Sequence, residues 1–182
     1  ARQTANRKYT AGPGMHVLAA QSLFASRFVQ NAMPALEELR RFGLTIAMGV
    51  LWNHDVSYLF HAPPGMETAQ ALGRIGLLPA SENGIGVALL AGFDDGHVTE
   101  LYEGEDVPGY PGGVSDLLKV LGETRSQGYA RVRVGENQDR HTIAIGVSDP
   151  AFAAIGMSGW IPEESTPELV AALHAAAAKI AE

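Results

Sequence analysis

Branched and small side chains alternate most clearly between His141 and Trp160, HTIAIGVSDPAFAAIGMSGW. The pattern predicts two β-strands joined by a tight turn at Asp149-Pro150. Side chains of a strand point to opposite faces in turn, so each strand has a branched face and a small or hydroxyl-bearing face. Pairing Ser148 with Phe152 places 146 opposite 154, 144 opposite 156 and 142 opposite 158. A slip of one residue would mix the two sets. We therefore predict a hairpin with one face on a core and room beside the other.

A second hairpin is predicted for residues 44–52 and 56–61, which flank the turn Asn53-His54-Asp55. Its first strand separates in the same way, into a small face (Thr45, Ala47, Gly49) and a large face (Leu44, Ile46, Met48, Val50). A further strand is predicted over residues 129–134, directly before the C-terminal hairpin.

Helical patterns lie on both sides of these strands. Residues 15–42 predict two helices, with Pro34 as a kink or a start and Gly43 as the stop. A glycine-started helix over 83–93, a short helix over 94–103 and a helix capped by Ser115 and closed by Gly128 follow. The last helix has a capping-box start at 165–168 and an apolar stripe at Leu169, Leu173, Ala176 and Ile180. Antiparallel hairpins with separate helices predict an α+β domain.

Composition and charge narrow the function classes. The chain has 182 residues, 46% of them hydrophobic, which fits one globular domain. It has no cysteine, which excludes a disulfide framework or thiolate zinc site and agrees with a cytoplasmic location. No apolar run is long enough to span a membrane. The net charge is −7, and residues 93–116 contain seven acids without one Lys or Arg, so we expect this segment not to bind nucleic acid.

Tests for catalytic or metal-binding patterns are negative. The six histidines are dispersed, and the nearest pair, His54 and His61, lies across a turn and fits edge positions better than a metal site. Ser158 and Thr142 lack a nucleophile elbow or a triad partner set by sequence. Arg131 and Arg133 share a strand face that fits solvent better than a carboxylate ligand. We predict no enzyme, metal or cofactor.

The glycines at Asn83-Gly84-Ile85-Gly86 leave two interpretations open: an anion site at a helix start, or a close backbone approach. Glu82 precedes them and would repel a phosphate, which favours a small or neutral ligand.

Five blocks, in order and at matching spacing, resemble the effector-binding domain of IclR-family bacterial transcriptional regulators. They are Tyr9-Thr10-Ala11-Gly12-Pro13, residues 79–91 (PASENGIGVALLA), residues 125–130 (RSQGYA), residues 144–147 (AIGV) and residues 153–159 (AAIGMSG).

The resemblance implies a GAF-like fold, with a curved antiparallel sheet flanked by helices. It implies that residues 1–13 are a linker from a missing N-terminal winged helix-turn-helix and that 14–182 are the effector-binding domain. Such a domain senses a small molecule, contacts DNA only through the missing part and assembles as a homodimer or homotetramer. The implied ligand-binding residues are Asn83, Gly84, Ile85, Val132, Thr142, Gly156 and Ser158.

Several positions depart from the family pattern. Ser81, Glu82 and Asn83 replace His, Ala and Thr, Val87 replaces Lys, an acidic residue near Val132 is lost, and Gly156 replaces a serine. A buried carboxylate without partners is costly, so we expect a larger and less polar effector than a short keto acid. A small hydrolase or isomerase using Ser158 or Thr142, and a ligand-free dimerisation module, are the alternatives.

Overall fold

The computed structural model describes residues 2–3, 9–10, 12–25, 28–73, 76–135, 139–148 and 150–181. Near the N-terminus, β1 (Arg2–Gln3) and β2 (Tyr9–Thr10) form a short antiparallel ribbon. The main sheet is antiparallel, with six strands in the order β5-β4-β3-β8-β7-β6. These strands are β3 (Thr45–Trp52), β4 (Asp55–Ala62), β5 (Leu78–Pro79), β6 (Ala130–Val134), β7 (Arg140–Val147) and β8 (Ala153–Gly159).

Seven α-helices surround the sheet within these ranges: α1 (Pro13–Ala25), α2 (Phe28–Leu39), α3 (Thr68–Ala71), α4 (Gly84–Leu90), α5 (Asp95–Leu101), α6 (Val114–Gln127) and α7 (Thr166–Ala181). Short 3-10 turns occupy Arg40–Phe42, Ala80–Glu82 and Glu163–Ser165. The predicted stops at Gly43 and Gly128 are confirmed, since both adopt the left-handed conformation that favours glycine. The α+β class and the curled antiparallel sheet are confirmed as well.

The predicted register of the C-terminal hairpin is confirmed over its described part. Thr142 pairs with Ser158, and residues 144 and 146 pair with 156 and 154. The ladder ends at Val147 and Ala153, so the predicted pair of Ser148 and Phe152 does not form. Ser148 has a positive φ of 67°, which turns the chain out of the strand before Phe152 can be reached.

Two hydrophobic clusters lie on the two faces of this sheet. The α7 cluster joins the branched faces of the strands to α2 and α7, and includes Met48, Ile155 and Leu173. The α4 cluster joins small residues such as Ala47 and Ala144 to the helices α4 and α6. The small side chains let α4 approach the sheet closely, as the alternation predicted.

The pairing of β3 with β4 contains a β-bulge. Met48 pairs with Phe60 and the next residue, Gly49, pairs with Tyr58, so Leu59 has no partner in β3. Phe60 belongs to the α7 cluster, whereas Tyr58 belongs to the α4 cluster.

One alternative for Pro34 and the predicted cap of α6 are wrong. Pro34 does not mark the start of α2, which begins six residues earlier, and the alternative of a kink stays a prediction. Burial of Ala32, Ala35 and Leu36 offsets the backbone hydrogen bond that Pro34 lacks. Ser115 does not cap α6: the cap is Gly113, and the Ser115 hydroxyl donates back to the Gly112 carbonyl.

The division at residue 13 stays a prediction. Much of the proposed linker lies outside the described residues, and the ribbon β1–β2 occupies part of it.

Candidate functional site

A cavity of about 310 Å³ lies between the start of α4 and the small-residue face of the sheet. The six strands of the sheet supply one wall, and Glu82, Asn83 and Ile85 at the start of α4 supply the other. Its lining consists of Thr45, Ala47, Tyr58, His61, Leu78, Pro79, Glu82, Asn83, Ile85, Val134, Thr142, Gly156 and Ser158.

Asn83 fixes the wall that α4 contributes. Its Oδ1 accepts from the Gly86 N–H at 2.8 Å, as an N-cap side chain does, and from the Tyr58 hydroxyl at 3.2 Å. Its Nδ2 donates to the Pro79 carbonyl at 2.6 Å. Because these bonds use both ends of the amide, Asn83 holds the turn, the helix and β4 together and has at most one N–H left for a ligand.

The helix start is packed tightly against its surroundings. A Cβ on Gly86 would lie 2.1 Å from the Ala80 carbonyl oxygen, and a Cβ on Gly84 would lie 2.6 Å from Thr142 Cγ2. Of the two interpretations of these glycines, the observed distances match the close backbone approach.

Two hydroxyls face each other across the hairpin. Thr142 Oγ1 donates to Ser158 Oγ at 3.0 Å, as expected for side chains on directly paired residues of one face. Thr142 is buried and Ser158 is partly exposed. Ser158 therefore has the hydroxyl that is more accessible from the cavity.

Two rings from β4 complete the lining. Tyr58 and His61 meet edge to face with centroids 5.8 Å apart. Burial raises the pKa of the Tyr58 phenol to about 12, so the ring stays uncharged and acts as a hydrogen-bond donor.

Five of the seven predicted site residues line this cavity: Asn83, Ile85, Thr142, Gly156 and Ser158. Gly84 packs on Thr142 outside the lining, and Val132 packs on the α4 cluster, while Val134 on the same strand face reaches the cavity. Thr45 and Ala47 were not assigned to the site, although the small face of their strand was visible in the sequence. For Tyr58, His61 and Leu78, no pattern in the sequence indicated a place in the site.

The arginines considered as carboxylate ligands lie elsewhere. Arg131 bonds the Glu163 carboxylate at 2.9 Å and the Ile161 carbonyl at 3.0 Å, and Arg133 is exposed. Among the described residues, no group of three or more His, Asp or Glu side chains is placed to hold a metal ion. Nor does that part of the chain contain a helix long and apolar enough to cross a membrane.

Residues 20–182 match the family described as bacterial transcriptional regulator IclR C-terminal. The chain belongs to the IclR family. Its members are domains of transcriptional regulators rather than enzymes, and the chain is an IclR-type C-terminal regulatory domain.

Solved IclR structures share the fold. The C-terminal domain of the Escherichia coli regulator KdgR is 27% identical, with a TM-score of 0.72 over 86% of this chain and 97% of that one. An IclR homologue from Microbacterium hydrocarbonoxydans, complexed with 4-hydroxybenzoate, is 23% identical, with a TM-score of 0.74 over 98% and 76% of the two chains. The Thermotoga maritima IclR is 17% identical, with a TM-score of 0.72 over 98% and 77%. Among curated protein sequences there is no match.

Proposed function

We propose that this chain is the small-molecule-sensing and oligomerising domain of a DNA-binding transcriptional regulator. The effector binds between residues 82–86 and the small-residue face of the sheet. The observation that carries this proposal is the cavity itself, which lies where the start of α4 meets Thr142, Gly156 and Ser158. The complex of an IclR homologue with 4-hydroxybenzoate supports effector binding by this fold.

The chemistry of the lining favours an effector that is larger and less polar than a short keto acid. Apolar side chains form much of the wall, including Ala47, Ile85 and Val134. The polar groups are largely engaged with one another, as in the Thr142–Ser158 pair and the Asn83 bonds. An apolar body with a few orienting hydrogen bonds fits such a lining.

The proposal also covers the contacts of this domain with DNA and with other copies of the chain. DNA is bound by a separate N-terminal domain, because a net charge of −7 disfavours a phosphate surface here. Assembly into a homodimer or homotetramer is supported by α1, where Met15, Val17 and Leu18 each expose more than half of their surface. We place the regulator in the cytoplasm, where DNA would be available to it.

Thermal-shift measurements with a compound library test the effector proposal. Aromatic or alicyclic compounds should raise the Tm, whereas glyoxylate and pyruvate should not; the reverse result contradicts the proposed effector class. Ala47→Leu, which places a larger side chain in the cavity, should abolish the shift. The matched control Ala175→Leu, at an exposed position of α7, should keep it.

Catalysis is tested on the same protein. The Ser158 hydroxyl is paired with another hydroxyl, which is too weak a base to activate it. We therefore expect no turnover of generic ester substrates. Turnover that disappears in Ser158→Ala or Thr142→Val would indicate a hydrolase instead.

A further inference from the structure

The charged groups around the cavity have one sign. Glu82 lines the cavity with an exposed side chain, and no Lys or Arg occurs among the described residues that line it. The other polar side chains of the lining are the hydroxyls, the Tyr58 phenol, the Asn83 amide and the His61 imidazole. A ligand carboxylate would therefore enter a partly enclosed space near a like charge, with no Lys or Arg in the described lining to compensate it.

The acidic loop, residues 104–113, strengthens this charge from outside. The loop is fastened to the 3-10 turn that carries Glu82, because the Ser81 hydroxyl donates to the Pro108 carbonyl at 2.7 Å. A Cβ on Gly109 would lie 3.3 Å from Glu82 Cγ, so the loop backbone is in contact with that side chain.

Glu105 is held close to the same turn. Its carboxylate lies 3.3 Å from His54 Nδ1, and the His54 carbonyl accepts from the Ala80 N–H at 2.9 Å. Asp106 follows it in the loop and is exposed. These acids come from a segment without any Lys or Arg, and Ser81 and His54 connect that segment to the turn beside the cavity.

Building on the effector-binding function proposed above, we propose that the cavity selects against carboxylates and takes an uncharged or cationic effector with an apolar body. Glu82 is the specificity-determining residue, and the acidic loop supports it. A neutral ligand avoids the repulsion, and an amine gains attraction to Glu82.

The test is calorimetric titration with three ligands that share one ring: 4-hydroxybenzoate, 4-hydroxybenzamide and 4-hydroxybenzylamine. The amide has the shape of the acid without its charge. We expect the amide and the amine to bind at least about tenfold more tightly than the acid, the factor that a repulsion of about 1.4 kcal/mol produces. Added salt should narrow this difference.

Substitutions assign the effect to Glu82. Glu82→Gln should raise the affinity for the acid about tenfold and lower that for the amine, while leaving the amide unchanged. Glu100→Gln removes the same charge from an exposed position of α5 outside the lining and should change none of the three affinities. The pair Glu105→Gln and Asp106→Asn, combined in one protein, should act in the same direction as Glu82→Gln but more weakly.

The possible failures are distinguishable. An acid that binds as tightly as the amide, and loses that binding in Ala47→Leu, overturns the charge selection but leaves effector binding in place. Binding that is equal in wild type and Ala47→Leu contradicts the cavity as the effector site. Failure of all three compounds to bind also overturns the selection, because an uncharged ring of this size should enter.

Discussion

Asn83 links three parts of the site through one side chain. Asn83→Ala removes the cap of α4 and leaves the buried Tyr58 hydroxyl without its acceptor. We expect the free energy of unfolding to fall by about 2 kcal/mol, the sum of a lost cap and an unsatisfied buried donor. Urea denaturation measures it.

The matched control is Asp94→Ala, since the Asp94 side chain caps α5 at 2.9 Å from an exposed position. It should cost about 1 kcal/mol. Equal losses in the two variants would contradict the linking role of Asn83.

Tyr58 makes stability depend on alkaline pH. Burial raises the pKa of its phenol from 10.0 to about 12, so the folded state retains the proton while the unfolded chain releases it. The free energy of unfolding should therefore fall as the pH rises from 10 to 12, by up to about 2 kcal/mol from this group.

Tyr58→Phe tests this by urea denaturation across the same pH range. The variant should lose less stability than the wild type, although a decline remains because burial also raises the pKa of Tyr102 and Tyr110. Parallel pH curves for variant and wild type would show that Tyr58 does not titrate there.

Among the elements, α4 depends most on its glycines. A Cβ on Gly86 would meet the Ala80 backbone at 2.1–2.5 Å, which neither partner can relieve by rotating a side chain. Gly86→Ala should lower the free energy of unfolding by about 3 kcal/mol.

Gly122→Ala in α6 provides the opposite case, since nothing lies within 4 Å of its Cβ position. It should raise the free energy of unfolding by about 0.5–1 kcal/mol through helix propensity. Thermal melts of both variants test these two predictions. A similar loss of stability in both would mean that the contact with Ala80 is not the cause of the loss in Gly86→Ala.

Alternation within single elements was predictable because its cause is local. The register of β7 with β8 follows from which residues are branched, and the stripe of α7 (Leu169, Leu173, Ala176, Ile180) is buried as predicted. How far the cavity extends along a strand was not predictable in this way. Val132 and Val134 share a strand face, but only Val134 lines the cavity.

The order of the strands in the sheet was also not predictable from the sequence. The cavity needs β8 between β3 and β7, and the alternation within β3 contains no information about that order. Thr45 and Ala47 were therefore recognised as a small face without being placed beside Ser158 and Gly156, their partners in the sheet.

For the whole molecule, the sheet places the α7 cluster and the cavity on opposite faces. Leu173 is fully buried in the α7 cluster, on the face opposite the cavity. Leu173→Ala should lower the free energy of unfolding by about 3 kcal/mol and leave ligand affinity of the folded protein unchanged. Urea denaturation and calorimetric titration test the two halves of this prediction. An affinity loss as large as that in Ala47→Leu would contradict it.

Leu59, which has no partner in β3, shifts the alternation of side chains along β4 by one residue. In a regular strand, positions 58 and 61 would have opposite parity and point to opposite sides. The bulge changes the parity between them, so Tyr58 and His61 both reach the cavity while Phe60 stays in the α7 cluster. The pair of rings is thus created by one inserted residue. Deleting Leu59 would keep every lining side chain in the sequence and still separate the two rings.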